Sequence, residues 1–382
     1  LQIGPEEVSH VIVARKVPRS AAVLAAALAL VSATVVTAHS TQSANAAVKH
    51  IFVIMLENHS QSTVIGDPNA PYITSLANTY GEATNYYGVT HPSQPNYVAA
   101  ITGQLDINHM NDIATNHFAW TNLVDQLEAN GRSWGAYMEA MPSAGYTGFT
   151  APGSVALYTN KHNPFVLMDD VLSSPDRLSR IKPYTDLSAD LNSSHAPDFV
   201  WISPDQCNDM HGGVYVAVDG HPETPCPYGS TVDDPNDAAL KQKADAFVQG
   251  AVQTITSSKA WTGNSVIFVL SDEADFDGSA VNTDLWADVR GCCDSPGYGS
   301  APGLPEGYVL IDNGSHPWSG PFGGGKVPAI VITRNGVGGL KDDAPYNHYS
   351  LLRTIEQVWN LGYLGYAGDS ANVSSMSYLL QH

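Results

Sequence analysis

Four stretches of the chain are runs of apolar residues closed abruptly by polar ones: Ile51–Leu56, Phe199–Ile202, Val266–Leu270 and Val327–Ile332. They are too continuous for a half-exposed strand and rich in β-branched residues, so they read as strands buried on both faces. Trp134–Met138 reads as a further strand. Between them the apolar spacing changes to that of helices. It predicts helices over Tyr72–Tyr80, over Thr121–Asn130 with Leu123, Val124 and Leu127 on one face, and over Ala238–Ser257 with Leu240, Ala244, Val248, Val252 and Ile255. A closing helix, Tyr349–Trp359, carries Leu351, Leu352, Ile355 and Val358, with Asn347 or His348 near its start. Strands alternating with helices predict a three-layer α/β/α sandwich around one mostly parallel sheet.

The polar closures carry the chemistry. The first strand runs into Glu57-Asn58-His59-Ser60, the second into Asp205, Asn208, Asp209 and His211, and the third into Asp272-Glu273. Parallel strands bring their carboxyl ends to one edge, where ligands of open α/β sheets bind. Carboxylates crowded there repel one another and lose hydration, a difficulty that a divalent cation removes. Oxygen ligands such as Glu57, Asn58, Asp272 and Glu273 favour Mg²⁺, Ca²⁺ or Mn²⁺, and remain compatible with iron or zinc. The alternative at Glu57 is a helix-capping cluster. A calcium-loop pattern starting at Glu273 and ending at Asp284 begins with Glu and follows a strand, so Asp275 and Asp277 are expected in an acidic surface loop.

A second candidate lies in Thr90–Gly103. Pro92 and Pro95 bracket Ser93 and Gln94, and Val98, Ala99 and Ile101 then suit a short helix that Gly103 ends. Ser93 would sit on a stiff turn at a helix N-terminus, whose free N–H groups favour an anion, and would be a nucleophile held against a phosphate. The plain alternative is a proline-rich cap.

Composition narrows the setting. The 382 residues are 43% apolar and 14% charged, as in a folded chain, and the net charge of -20 argues against nucleic acid or anionic lipid as a surface-held partner. Arg15, Lys16 and Arg19, the apolar run Ala21–Ala38 and Ala44-Asn45-Ala46 read as a secretory signal peptide, with an uncleaved anchor as the alternative. Residues 1–46 are therefore set apart as leader and upstream extension, and 47–382 as one mature domain without another membrane-spanning run. Glu139–Pro164 and 212–236 read as loops rich in Gly and Pro. Four cysteines in an exported chain imply two disulfides. A bond between the neighbours Cys292 and Cys293 is disfavoured by geometry, so each is expected to pair with Cys207 or Cys226.

Separated motifs also carry a resemblance. Ser93-Gln94-Pro95-Asn96-Tyr97 with Ile101-Thr102-Gly103 resembles the nucleophile segment of the alkaline phosphatase superfamily, and Ser271-Asp272-Glu273 its later metal-binding strand end. Val53–Asn58 and Asn347–Glu356 resemble the secreted bacterial phosphoesterase family that contains acid phosphatases and phospholipases C. The resemblance implies an alkaline phosphatase-like fold, a phosphoserine intermediate at Ser93, and a metal site of Glu57, Asn58, Ser93, Asp272 and Glu273. Glu273 stands where two-zinc members have histidine, which favours one metal held by oxygens. In that setting Asn96 would donate to a phosphate oxygen, and His211 or His348 would protonate the leaving group as an imidazolium. His59, His91 and His109 stand behind them. The expected substrate is a small phosphate ester hydrolysed by an acid phosphatase-like phosphomonoesterase. A phospholipase C or phosphodiesterase acting on lipid head groups is the alternative, and an inert binding protein of the same fold comes last.

Overall fold

A computed structural model describes residues 48–109, 111–152, 156–213, 226–227, 229, 235–277, 285–294, 308–311 and 323–381. The leader at 1–46, most of the 212–236 loop and positions 278–284 of the calcium-loop pattern lie outside them. Among the described residues no helix is long and apolar enough to cross a membrane.

The central sheet has eight strands: β1 (Ile51–Leu56), β2 (Gly81–Ala83), β3 (Trp134–Met138), β4 (Ile181–Pro183), β5 (Phe199–Ser203), β6 (Val266–Ser271), β7 (Ala329–Thr333) and β8 (Lys341–Asp342). Their spatial order is β8-β2-β7-β6-β1-β5-β3-β4. β1 sits at the centre, parallel to both neighbours, with Ile51 opposite Phe199 and Val266. Its residues are all buried, as an uninterrupted apolar run requires. Ile51, Val53 and Met55 face one core and Phe52, Ile54 and Leu56 the other. The first core is covered by α2 (Ser93–Thr102), α3 (Leu123–Ala129) and α5 (His348–Trp359), and the second by α1 (Pro71–Thr79) and α4 (Pro235–Thr256). These are the three layers expected.

One strand departs from the parallel reading. β7 runs antiparallel to β6, with Ala329 opposite Leu270 and Thr333 opposite Val266, and antiparallel to β2. Among the described residues no helix lies between β6 and β7. A parallel return needs such a crossover, whereas the chain here re-enters at the edge it left.

Helix ends follow local chemistry. Asn122 caps α3 by accepting from Val124 N, and Asp125 accepts from Asn122 N in return, which trims the helix to start at Leu123. Asn347 caps α5, accepting from Tyr349 N and Ser350 N. α2 begins at Ser93 itself rather than after Pro95, because a proline is tolerated in the first turn. Gly103 ends it at φ 66°, and a Cβ there would meet the Leu364 carbonyl oxygen at 2.3 Å.

Three loop expectations are corrected. Cys207 pairs with Cys226, and Cys292 with Cys293. The Cys207 and Cys226 Cα atoms are 5.5 Å apart, within ordinary reach, and the backbone at Cys293 and Asp294, next to the second bond, is left-handed. Asp275 is buried, not on an acidic surface loop: it accepts from the hydroxyls of Ser60 and Thr63. The Glu139–Pro164 stretch contains a small strand pair, and its end, Asn160 to Asn163, turns inward.

Inside α5, Glu356 is buried with one oxygen accepting from Leu364 N, while its Oε2 and the nearby Gln126 Oε1 have no hydrogen-bond partner. Burial pushes the Glu356 pKa up to about 8, against the Leu364 N–H bond that favours the charged form. The folded value exceeds the unfolded one, so this stabilisation is complete below the unfolded pKa and is lost as pH rises through about 8. Glu356→Gln keeps a donor at every pH. It is expected to raise the thermal midpoint at pH 9 by a few degrees and leave it unchanged at pH 4, as read by calorimetry; equal midpoints at both pH values would refute the raised carboxyl pKa.

Candidate active site

The turn after β1 is set by backbone contacts to its neighbours. Glu57 N donates to the Asp209 carbonyl at 2.8 Å and Asp272 N to the Leu56 carbonyl at 3.0 Å. Asn58 adopts φ 43°, and its N–H donates to Asp272 Oδ1 at 3.1 Å. Glu57, Asp272 and Glu273 thus meet at one edge, where ligand oxygens of all three lie within 4.8 Å of one another.

Ser93 is brought to them by the turn before α2. Its hydroxyl lies 2.8 Å from Glu57 Oε2 and 2.9 Å from Glu273 Oε1. One hydroxyl hydrogen cannot serve two carboxylates. Burial first, and then the neighbouring Asp272, raise the Glu57 pKa well above the carboxylate range; burial and Glu273 do the same to Asp272. Among the described residues, Glu57 Oε1 and Asp272 Oδ2 are buried without a well-formed hydrogen bond. The Asn58 amide can relieve the group by turning its nitrogen inward, donating to Glu57 Oε2 at 3.2 Å and Glu273 Oε1 at 3.0 Å. Turned the other way, its oxygen joins the ring. Poorly satisfied anionic oxygens in a buried pocket fit a hard divalent cation, with Glu57, Asp272 and Glu273 as charged ligands and Asn58 and Ser93 as neutral ones.

The remaining sequence candidates are placed differently. Asn96 spends its amide on the turn: Oδ1 accepts from Val89 N and Thr90 N, and Nδ2 donates to the carbonyls of Thr90 and Pro92. It positions Ser93 rather than reaching toward a phosphate. His348 is buried with Nε2 2.5 Å from the Asp272 carbonyl and Nδ1 3.1 Å from Tyr86 OH, so both ring nitrogens are engaged by the protein. His211 has Nδ1 2.9 Å from the Gly212 carbonyl and Nε2 3.2 Å from Lys161 Nζ. An ammonium only donates, so His211 Nε2 is the acceptor and its proton sits on Nδ1. Burial pulls the His348 pKa down to about 4, and burial with the Lys161 charge pulls that of His211 down to about 3.

His91 bonds Glu273 through Nδ1 and the Asp288 carbonyl through Nε2 at 2.8 Å. Burial alone would lower its pKa, but the Glu273 carboxylate and Asp288 together outweigh burial and raise it. His59 links the Glu57 carbonyl at 3.2 Å to Asp237 at 2.8 Å. His109 pairs with Asp106 in a half-exposed turn.

Three residues were missed as site members. His162 is buried and stacked on Tyr97 at 5.4 Å, with Nε2 3.2 Å from Glu57 Oε1 and Nδ1 3.3 Å from Asp209 Oδ2. Glu57, His162 and His211 form a second cluster of metal-ligand type. The Lys161 ammonium, however, already holds His211 Nε2, where a cation would have to bind. Lys161 and His162 lay in the stretch read as a surface loop, and Asp209 was read only as a strand-end polar residue. The available signal was a Lys-His pair in a chain with only 17 Lys and Arg.

With this geometry in view, the model of the Phosphoesterase family matches residues 66–221 and 231–362. A probable acid phosphatase of Kluyveromyces lactis is 26% identical over 348 residues, 90% of this chain and 65% of that protein. An acid phosphatase of Aspergillus fumigatus is 34% identical over 171 residues, 43% of this chain and 37% of its own length. A phosphatidylinositol-3-phosphatase of Mycobacterium tuberculosis is 25% identical over 327 residues, 86% of this chain and 82% of that protein. The chain thus spans about two thirds or less of the two acid phosphatases. A solved structure of an alkaline phosphatase superfamily protein from Vibrio parahaemolyticus superposes with a TM-score of 0.45 and 14% identity, covering 84% of this chain and 69% of its own.

Proposed function

This chain belongs to the Phosphoesterase family, and on that premise we propose that it hydrolyses phosphate monoesters through Ser93, as an acid phosphatase-like enzyme dependent on a divalent cation. The observation that carries the reading is the Ser93 hydroxyl, buried between Glu57 and Glu273 at 2.8 and 2.9 Å. A serine in a structural turn has no need of two carboxylates.

When bound by Glu57, Asn58, Ser93, Asp272 and Glu273, a divalent cation lowers the serine pKa and polarises a phosphate oxygen. The chain's own residues do the rest. Asn96 and the two prolines hold the turn so that Oγ faces the substrate. Oγ attacks phosphorus and gives its proton to the facing carboxylate, the O–P bond forms, and the bond to the leaving oxygen breaks. Water then cleaves the phosphoserine, restoring the hydroxyl and releasing phosphate. His348 and His211, in the forms described, are not set to protonate the departing alkoxide. Rates are therefore expected to depend steeply on the leaving group, with nitrophenyl phosphate turned over at least ~10²-fold faster than an alkyl phosphate; equal rates would require a general acid at this site.

The name of the M. tuberculosis relative adds a lipid head-group phosphate as a second substrate class. Export behind a leader at 1–46, with 47–382 as the phosphoesterase domain, is part of the same reading, and two disulfides support an oxidising compartment. A panel of phosphomonoesters, phosphodiesters and phospholipids, with chelator and with Mg²⁺, Ca²⁺, Mn²⁺, Fe²⁺ or Zn²⁺ restored, tests the whole. Chelator should abolish monoester hydrolysis and one of the metals should restore it. Failure to cleave any monoester under every metal would overturn the reading.

A further inference from the structure

A phosphate approaching Ser93 meets three carboxylates, and a monoester dianion is repelled more strongly than a diester monoanion. The helix end that would offset this is partly spent: the N–H of Gln94, directly after Ser93, donates to Asp112 Oδ1 at 2.9 Å. The same Asp112 turns its other oxygen to Lys161, with Nζ–Oδ2 at 2.8 Å. Lys161 is largely buried and its Nζ also donates to His211 Nε2 at 3.2 Å. An ammonium has three hydrogens. Two are taken, and among the described residues none takes the third. Burial opposes its charge, yet Asp112 and Glu57 outweigh burial and hold the lysine protonated. It adjoins His162, whose ring lies 3.2 Å from the carboxylate that touches Ser93.

Resting on the monoesterase reading above, the geometry points to Lys161 as the residue that recognises the second negative charge of a phosphomonoester and so selects monoesters over diesters. Asp112 is its positioning partner, tying the ammonium to the amide next to the nucleophile. The third hydrogen of Nζ donates to the phosphate oxygen that a diester carries as an ester linkage. A diester lacks both the charge and the acceptor, so it gains less from the lysine.

The test compares wild type, Lys161→Met and Lys161→Arg on nitrophenyl phosphate and bis(nitrophenyl) phosphate, which share a leaving group. Binding of inorganic phosphate and of dimethyl phosphate is measured alongside by calorimetry. Lys161→Met is expected to lose about 10- to 100-fold in kcat/KM on the monoester and less than about threefold on the diester, and to bind phosphate but not dimethyl phosphate correspondingly more weakly. Lys161→Arg, which keeps the charge, should recover most of the monoester rate. Equal losses on the two esters, or an unchanged phosphate-to-dimethyl phosphate affinity ratio, would show an ion pair that only holds the loop and would overturn the inference. A wild type that cleaves neither ester overturns the monoesterase reading instead, and the affinity ratio in Lys161→Met still decides the role of the lysine. Should Lys161→Met fold poorly by thermal melting, Lys161→Gln is read in its place, and the same two ratios decide the matter.

Discussion

Ser93→Ala is expected to reduce turnover of a phosphomonoester by about 10⁴-fold or more while the protein stays folded. The position tolerates the change. Ser93 is the first residue of α2, whose N-cap is Pro92, and no side-chain cap bond is lost. The turn is held by Asn96, which the substitution does not touch. Four of the five metal-ligand candidates remain, so metal content under saturating conditions should stay near wild type. What disappears is the hydroxyl held between Glu57 and Glu273. Steady-state rates, elemental analysis and a thermal melt on one preparation check all three points. Wild-type activity in this variant would return Ser93 to the role of a turn residue.

Removing one anionic ligand separates metal binding from stability. Asp272→Asn should lose both bound metal and activity, because the remaining oxygens no longer supply enough charge for a hard cation. Yet the chelated variant should be more stable than the chelated wild type at neutral pH. Asp272 is fully buried, and burial together with Glu273 raises its pKa well above the ordinary value; Glu57 is raised by burial and by Asp272. A carboxyl whose folded pKa exceeds its unfolded one contributes stability below the unfolded pKa and loses it as pH rises through the folded one. The chelated wild type should therefore melt progressively lower from pH 4 to pH 8. Asp272→Asn should flatten that slope and melt higher than the chelated wild type at pH 8. Metal restores the wild type and leaves the variant unchanged. Stoichiometric metal in the variant, or equal slopes for both chelated proteins, would contradict a site built from strained carboxylates.

The parts of this site that could be read from residues alone are those where local pattern decides. An unbroken apolar run must be buried on both faces, so β1, β5 and β6 were legible, and with them the shared edge where Glu57, Asp272 and Glu273 meet. The proline turn and Gly103 marked a short helix with Ser93 on the turn before it, since those residues restrict backbone angles wherever they stand, and only the start of the helix moved, to Ser93 itself. The reversed direction of β7 was not legible, because strand direction depends on where a long connection re-enters the sheet.

Within the site, tertiary structure decided which polar atoms were already spoken for. Asn96 and His348 carry the right chemistry for a phosphate, but the fold commits the first to the turn and the second to Asp272 and Tyr86. His162 and Lys161 sat in a stretch whose Gly, Ser and Tyr content resembles any surface loop, and only the stacking on Tyr97 and the pairing with Asp112 draw them inward. The sequence by itself determined the layers, the edge and the stiff turn that carries Ser93, because hydrophobic period and backbone restriction are local properties. Only the tertiary structure decided protonation and partners, because a hydrogen bond is satisfied by whichever group, however distant in the chain, the fold brings within about 3 Å.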